Sequence, residues 1–426
     1  MLQGHADSPI EDGWRSTAVL ESLDLCLSCK GCKKDCPVNV DMATYKAEFL
    51  SHHYAGRLRP MAHYSMGWLP LWAQLASRLP RVVNALSQAP VLAGPGKALA
   101  AIAPERQIPQ FATQTFQSWY KARGPHGAGS RGDIVLWPDT FSNSFHPHVA
   151  QAAVEVLEDA GWRVVVPQDP VCCGLTWIST GQLDIAKKVL RRTVQVLSPY
   201  LQAGTLILGL EPSCTAVFRS DAEELFLSDP DVQRLRQQTV TLAEVLTQHT
   251  EGWQPPPLAR RALIQTHCHQ HAVMGFSADL SLMKAMGVDA QVLDSGCCGL
   301  AGNFGFEKGH YDVSEACGER ALFPALRAAD DDDVVLADGF SCRTQIEQGE
   351  AGGRQGIHLA ELLAAALHGD PAMPGRRPEE SYSVRPHTSR SASSLALAVL
   401  GVALASGLAG ATAMAARLHR RSGGRR

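Results

Sequence analysis

Across residues 131–368, short apolar runs alternate with stretches of helical spacing. IVLW (134–137), WRVVVP (162–167) and TLILGL (205–210) read as buried strands, since continuous apolar runs between turn signals suit a strand covered on both faces. Between them, His148 to Ala160 and roughly Leu183 to Leu197 repeat apolar residues at helical spacing. The order then recurs. ALIQTHCHQ (262–270) predicts a strand with its end loop, 278–286 a helix, DAQVLD (289–294) a strand, Tyr311 onward a helix, and VVLADG (334–339) a last strand. Strands alternating with helices predict parallel-sheet α/β units, and two such runs predict a duplication.

The flanks read differently. Asn39 or Asp41 can cap a helix from Met42 to His53. Residues 60–125 read as loosely helical, interrupted by prolines from Pro60 to Pro109. There Trp68, Leu71, Trp72, Leu75 and Leu79 fall at helical spacing and predict a packing stripe. Gly124 to Gly132 is a glycine-rich boundary. Residues 369–393, rich in Pro, Arg and Ser, predict a flexible linker. Leu395 to Ala416 carries no charge, so the expected apolar helix at 394–417 is a candidate membrane segment. Arg417, Arg420, Arg421, Arg425 and Arg426 follow it. The positive-inside rule keeps those arginines cytoplasmic, which conflicts with a spanning anchor beneath a cytoplasmic body. An interfacial helix, or packing on a partner, removes the conflict.

Composition narrows the class. Of 426 residues, 45% are hydrophobic and 19% charged, which supports a packed core. The net charge of −3 is no footprint for nucleic acid. Met1 to Trp14 has no apolar secretory core, so a cytoplasmic chain with reduced thiols is expected. The 12 cysteines then read as metal ligands rather than disulfides.

Cys26, Cys29, Cys32 and Cys36, followed by Pro37, fit C-x₂-C-x₂-C-x₃-C-P, the bacterial ferredoxin run for a [4Fe–4S] cluster. Gly31 is expected to permit the turn, and Lys30, Lys33 and Lys34 to offset the cluster's negative charge. Structural zinc is the competing use of such thiols, but it favours two spaced ligand pairs. In two-cluster ferredoxins the fourth cysteine serves the other cluster. Either Cys36 closes the same cluster, or its partner run lies outside this chain. The expected layout is a ferredoxin-type domain at 1–60, a Pro-rich helical connection at 61–130, and two cysteine-rich repeats at 131–250 and 258–368.

Cys172-Cys173-Gly174 and Cys297-Cys298-Gly299 stand in matching β–α contexts. Cys297 lies 125 residues after Cys172, and Cys342 lies 128 after Cys214. Neighbouring cysteines strain a disulfide but can both face one metal centre. These motifs resemble the paired cysteine-rich (CCG) domains of the heterodisulfide reductase B subunit and glycolate oxidase iron–sulfur subunit. The stretches LDLCLSCKGCKKDCPVNVDMATYKAEFL (23–50), LWPDTFSNSFHP (136–147), GLEPSC (209–214), HCHQ (267–270), GCCGLAGNFGFE (296–307) and ADGFSC (337–342) resemble the C-terminal iron–sulfur part of FAD-linked D-2-hydroxyacid dehydrogenases, the D-lactate and D-2-hydroxyglutarate type.

The resemblance covers roughly residues 10–368. It implies a second Fe–S centre at Cys268, Cys297, Cys298 and Cys342, and a weaker candidate at Cys172, Cys173 and Cys214. The second repeat lacks one family cysteine, since Gly339 or Gln345 stands at the flanking position. The first repeat lacks a leading cysteine near Asp139 to Asn143. No flavin fingerprint is present, so FAD belongs to a partner dehydrogenase subunit or domain. The acceptor would be a quinone or similar molecule, with membrane association at the inner cytoplasmic face left open. No residue is singled out as catalytic. Two other readings stay open: a thiol/disulfide oxidoreductase, and an inactive piece of a split longer protein.

Among other residues, alternation of His267, His269 and His271 would share a face in an extended strand. They could ligate iron or relay a proton, and polar residues at a strand end are the plainer reading. His310 and Tyr311 could line the same site or start a helix. Cys317 is expected as a buried core thiol. Asp330 to Asp333 is expected as a solvated turn. His52, His53, Arg57, Arg59 and His63 are expected as a solvated basic face.

Overall fold

The computed structural model describes residue 10 and residues 12–373 and 376–382. The expected apolar segment at 394–417 lies outside these. Among the described residues, no helix is long and apolar enough to cross a membrane.

The first parallel sheet comprises β1 (Asp133–Leu136), β2 (Arg163–Val165), β3 (Leu206–Leu208) and β4 (Thr239–Val240), in the order β2-β1-β3-β4. The second comprises β5 (Arg261–Ile264), β6 (Asp289–Val292) and β7 (Val334–Leu336), in the order β6-β5-β7. The match goes one step further. Where β3 pairs with β4, β7 makes a single parallel bridge from Leu336 to Ile357. Each of these edges runs into a helix started by a capping box, Thr241 with Glu244 and His358 with Glu361. The duplication is thus an α/β frame repeated in strand order and in its closing helix.

Continuous apolar strands are buried because helices cover both sheet faces. Ile134, Val135, Val334 and Val335 have no exposed surface. The two repeats share a core. One apolar cluster runs from Leu208 and Val164 of the first sheet through the helices Pro147–Asp159 and Leu359–Leu367 to Ile264 and Leu336 of the second.

The N-terminal segment supplies α1 (Thr17–Asp24), α2 (Gly31–Asp35) and α3 (Met42–His53). Asp41 caps α3 by accepting from Thr44 N–H at 3.1 Å. Then come α4 (Met61–Ser65), α5 (Leu69–Ala76), α6 (Pro80–Gln88) and α7 (Pro90–Leu99). Three of the prolines begin these helices: Pro70, Pro80 and Pro90 sit in first turns, where no N–H is needed, whereas Pro95 lies inside α7.

Several expectations are corrected. The stripe on α5 is not its packing face: Ala73 and Ala76 are buried, whereas Leu71, Trp72, Leu75 and Leu79 are exposed. Only Trp68 packs inward, edge-on to Trp177. Part of the expected linker at 369–393 is a helical turn, Pro378–Tyr382. Glu379 pairs there with the buried Arg354 at 2.8 Å. The acidic run is only partly a solvated turn, because Asp333 is buried and takes Arg261 at 3.1 Å. In the basic stretch, His53 and His63 are buried, and Arg59 donates to the Thr180 and Gly181 carbonyls at 2.8 Å.

Candidate metal centre

The motif cysteines of the two repeats follow the carboxyl ends of strands, where parallel α/β sheets form their sites. Cys268 follows β5, Cys297 and Cys298 follow β6, and Cys342 follows β7. Thiol–thiol hydrogen bonds link Cys268 to Cys297, Cys297 to Cys298, and Cys298 to Cys342. One further thiol joins them from outside the repeat. Cys29 of the N-terminal run hydrogen-bonds Cys268 and Cys297.

This sulfur group is electrically uneven. Bonds from Cys268 and Cys297 pull the Cys29 thiol far below its usual range, and bonds from Cys297 and Cys342 pull Cys298 down. The same contacts, with burial, push Cys268, Cys297 and Cys342 up. Crowded thiols that cannot all ionise suit a cationic occupant, which would draw off their protons. Among the described residues, no three His, Cys, Asp or Glu side chains converge tightly enough for a single metal ion. A multinuclear cluster, held by thiolates spread around several irons, fits this all-sulfur set better.

The first repeat gathers Cys172, Cys173 and Cys214. Contact with Cys173 and burial raise Cys172, and burial raises Cys173; Cys214 is pushed up to about 12, because burial and the neighbouring Asp139, Glu211 and Cys172 together outweigh the bond from Cys173. Thr140 follows β1 at the step where Cys268 follows β5, and it hydrogen-bonds Cys172 as Cys268 does Cys297. A hydroxyl therefore stands in place of the missing leading thiol. Two buried carboxyls adjoin the group. Burial and the neighbouring Glu211 raise Asp139 to about 6, and burial raises Glu211 itself. This set is poorer in sulfur and harder in character, and fits an iron–sulfur cluster less well.

Three thiols of the N-terminal run have different neighbours. Cys29 turns to the second repeat, Cys32 Sγ accepts from Met42 N–H at 3.4 Å, and Cys36 is held below its usual range by the N–H groups of Val40, Val38 and Asn39. Its turns also differ from expectation. Ser28 and Lys30, not Gly31, adopt the left-handed backbone, with φ of 55° and 60°. Nor do two of its lysines serve as counter-charges for a cluster. Lys30 is buried between Asp41 (2.8 Å) and Asp221 (3.0 Å), and Lys33 binds Glu224 at 2.9 Å. These pairs pin the run to the helix that follows Cys214.

The histidines separate. Residues 268–274 are helical, so alternation does not place the three on one face. His267 and His269 are buried, and burial lowers both to about 4. His269 Nε2 lies 3.1 Å from Ser28 O, and its Nδ1 has no partner among the described residues. His271 is exposed and faces Asp35 at 3.2 Å. His310 stacks on Phe304 and binds Asp24 at 3.0 Å, and Tyr311 lies under Arg106; neither lines the cavity described next. Cys317 is half-buried rather than a core thiol.

Both thiol groups border one cavity of about 300 Å³. Cys172, Cys173 and Cys214 line it with Cys29, Cys268, His267 and His269. Its remaining wall is mainly apolar, including Met66, Ile108, Phe141, Phe145 and Phe340. Sequence reasoning placed the cysteines but gave no sign of this wall, which is assembled from segments far apart in the chain.

Residues 140–219 and 277–347 match the family of cysteine-rich domains termed CCG. The two matches fall one on each repeat of the frame. The chain is 28% identical over 269 residues to the C subunit of the anaerobic glycerol-3-phosphate dehydrogenase of Escherichia coli K12, covering 62% of this chain and 66% of that relative. It is 23% identical over 359 residues to the D-2-hydroxyglutarate dehydrogenase of the same organism, covering 79% of this chain and 34% of that enzyme. With lactate utilization protein A of Bacillus subtilis it shares 25% identity over 247 residues, 54% of this chain and 98% of that protein. The chain thus spans just under two thirds of the first relative and about a third of the second. The similarity to the iron–sulfur part of FAD-linked dehydrogenases, read from the motifs, is borne out.

Proposed function

We propose that this chain is the iron–sulfur electron-transfer component of a flavin-dependent dehydrogenase acting on a 2-hydroxyacid or related polyol phosphate. Electrons would arrive from FAD on a partner chain and leave to a quinone. The observation that carries this reading is the cavity bordered by sulfur groups of both repeats and walled mainly by apolar side chains. A relay needs redox centres close to its acceptor, and a ring that is apolar apart from its oxygens suits such a wall.

Cys268, Cys297, Cys298 and Cys342 would hold one centre, with Cys29 adjoining it. Cys26, Cys32 and Cys36, with Cys29, are the proposed ligands of the other. A bound iron–sulfur cluster supplies one-electron redox chemistry. The chain's own residues set its surroundings. The Met42 N–H donates to Cys32 Sγ at 3.4 Å, a contact of the kind that shifts potentials. The aromatic and aliphatic wall excludes water. His269 Nδ1 is left to hydrogen-bond a hydroxyl of the occupant.

The test is anaerobic purification, iron and sulfide counting, and EPR after reduction. About four irons per centre and a reduced-state signal are expected. Little or no iron after anaerobic reconstitution overturns the proposal.

A further inference from the structure

Helix α5 is built inside out, and α6 and α7 bury no residue. The small residues of α5 pack on the body: Ala73 lies against Phe145 and Phe340. The large residues face solvent. Leu71, Trp72, Leu75, Leu79, Val91 and Leu99 are all exposed, Leu79 by 65%, Val91 by 76% and Leu99 by 74%. In a helix that packs only on its own protein, burial favours the opposite arrangement.

Charge on this segment is one-sided. From Phe49 to Pro104 there is no Asp or Glu, whereas Arg57, Arg59, Arg78, Arg81 and Lys97 fall within it. Arg59 is engaged with backbone carbonyls and Lys97 with Pro104 O. Arg78 and Arg81 are exposed and have no carboxylate partner among the described ion pairs. Exposed Leu, Val and Trp interleaved with arginine and free of acids are the marks of a helix lying in a lipid interface. A protein partner would also cover apolar side chains, but its binding would not depend on the lipid charge tested below.

The same segment closes the cavity between the sulfur groups. Met66, Leu69, Pro70 and Trp72 line it before α6, and Ala100 and Ile102 line it after α7. Trp72 belongs both to the exposed face and to the cavity wall.

We infer that α5 to α7 form a membrane-docking face that lies on an anionic bilayer and opens the cavity to molecules dissolved in it. This goes beyond the relay proposal and does not depend on a bound cluster.

The test is co-sedimentation of the full chain with vesicles of phosphatidylcholine alone or mixed with phosphatidylglycerol. Binding is expected to the anionic vesicles and to weaken as salt rises. Replacing the two exposed arginines between α5 and the first turn of α6 (R78E with R81E) is expected to weaken it by about tenfold or more, near the contribution of a few surface cations. L75Q with L79Q is expected to lower binding to both lipid mixtures. Both double variants alter exposed positions, and their circular dichroism and iron content should match the wild type. No binding to anionic vesicles by the wild type overturns the inference. So does full binding by both variants, which would place the contact elsewhere in the chain. Iron and EPR signals report on the relay proposal separately.

Discussion

At the scale of single residues, identical motifs carry different constraints. Gly174 and Gly299 both close a Cys-Cys-Gly turn at positive φ, 82° and 96°. A methyl group on Gly174 would meet nothing closer than Ala186 O at 3.3 Å, but on Gly299 it would lie 2.1 Å from Ser314 O. G174A should therefore cost about 1 kcal/mol from backbone strain, whereas G299A must also displace the helix carrying Ser314. The expected result in denaturant titration is a clearly larger loss for G299A; equal losses would contradict the packing. Asp279 is another residue whose setting decides its chemistry. Burial and the nearby Asp338 raise its pKa to about 8. Between the usual carboxylate range and that value, the folded state keeps a proton that the unfolded chain releases. Stability therefore falls as pH rises through the window. D279N, which preserves an acceptor for Gln270, should gain melting temperature over the wild type as pH rises from about 5 to about 8. A gap that does not change with pH would refute this.

At the scale of elements, the cysteine run is attached by buried ion pairs rather than by its own fold. Lys30 bridges Asp41 at the start of α3 and Asp221 behind Cys214. Both carboxylates outpull the burial of the lysine, whose pKa is raised. K30M leaves the buried Asp221 without a cation and Asp41 with only Lys33, at 3.4 Å, and should destabilise the chain by about 3 kcal/mol. Thermal melts and limited proteolysis near residues 26–40 would check it; an unchanged melt would show that the run is held by something else. The helices that precede the first sheet were legible in part. Their helical spacing was read correctly, but prolines read as interruptions proved in three cases to be helix starts. What spacing cannot tell is which side of a helix finds a partner, since α5 buries alanines and exposes leucines.

At the scale of the whole molecule, the repeats unfold together if their shared core governs stability. The helices Pro147–Asp159 and Leu359–Leu367 pack in one cluster with strands of both sheets. Glu211 of the first repeat also accepts Phe340 N–H of the second at 2.8 Å, in a buried bond. Calorimetry of the full chain should show one cooperative transition for the two repeats. E211A, which leaves that N–H unpaired, should lower the transition by about 1–3 kcal/mol. Two separate transitions would mean that the repeats are independent bodies.

What the sequence determined was local and periodic. The strands, most helices, the duplication and the placing of cysteines at strand ends follow from alternation, spacing and matched landmarks, all within reach of neighbouring residues. β4 escaped because a two-residue edge strand leaves no pattern. Tertiary structure alone decided what depends on residues distant in the chain. It turned Cys29 toward Cys268 and Cys297, put Thr140 beside Cys172, and consumed Lys30 in ion pairs. It also set an apolar cavity between two sulfur groups. Hydrophobic burial acts on whichever surfaces the chain brings together, so spacing names the apolar faces while only packing chooses which of them meet.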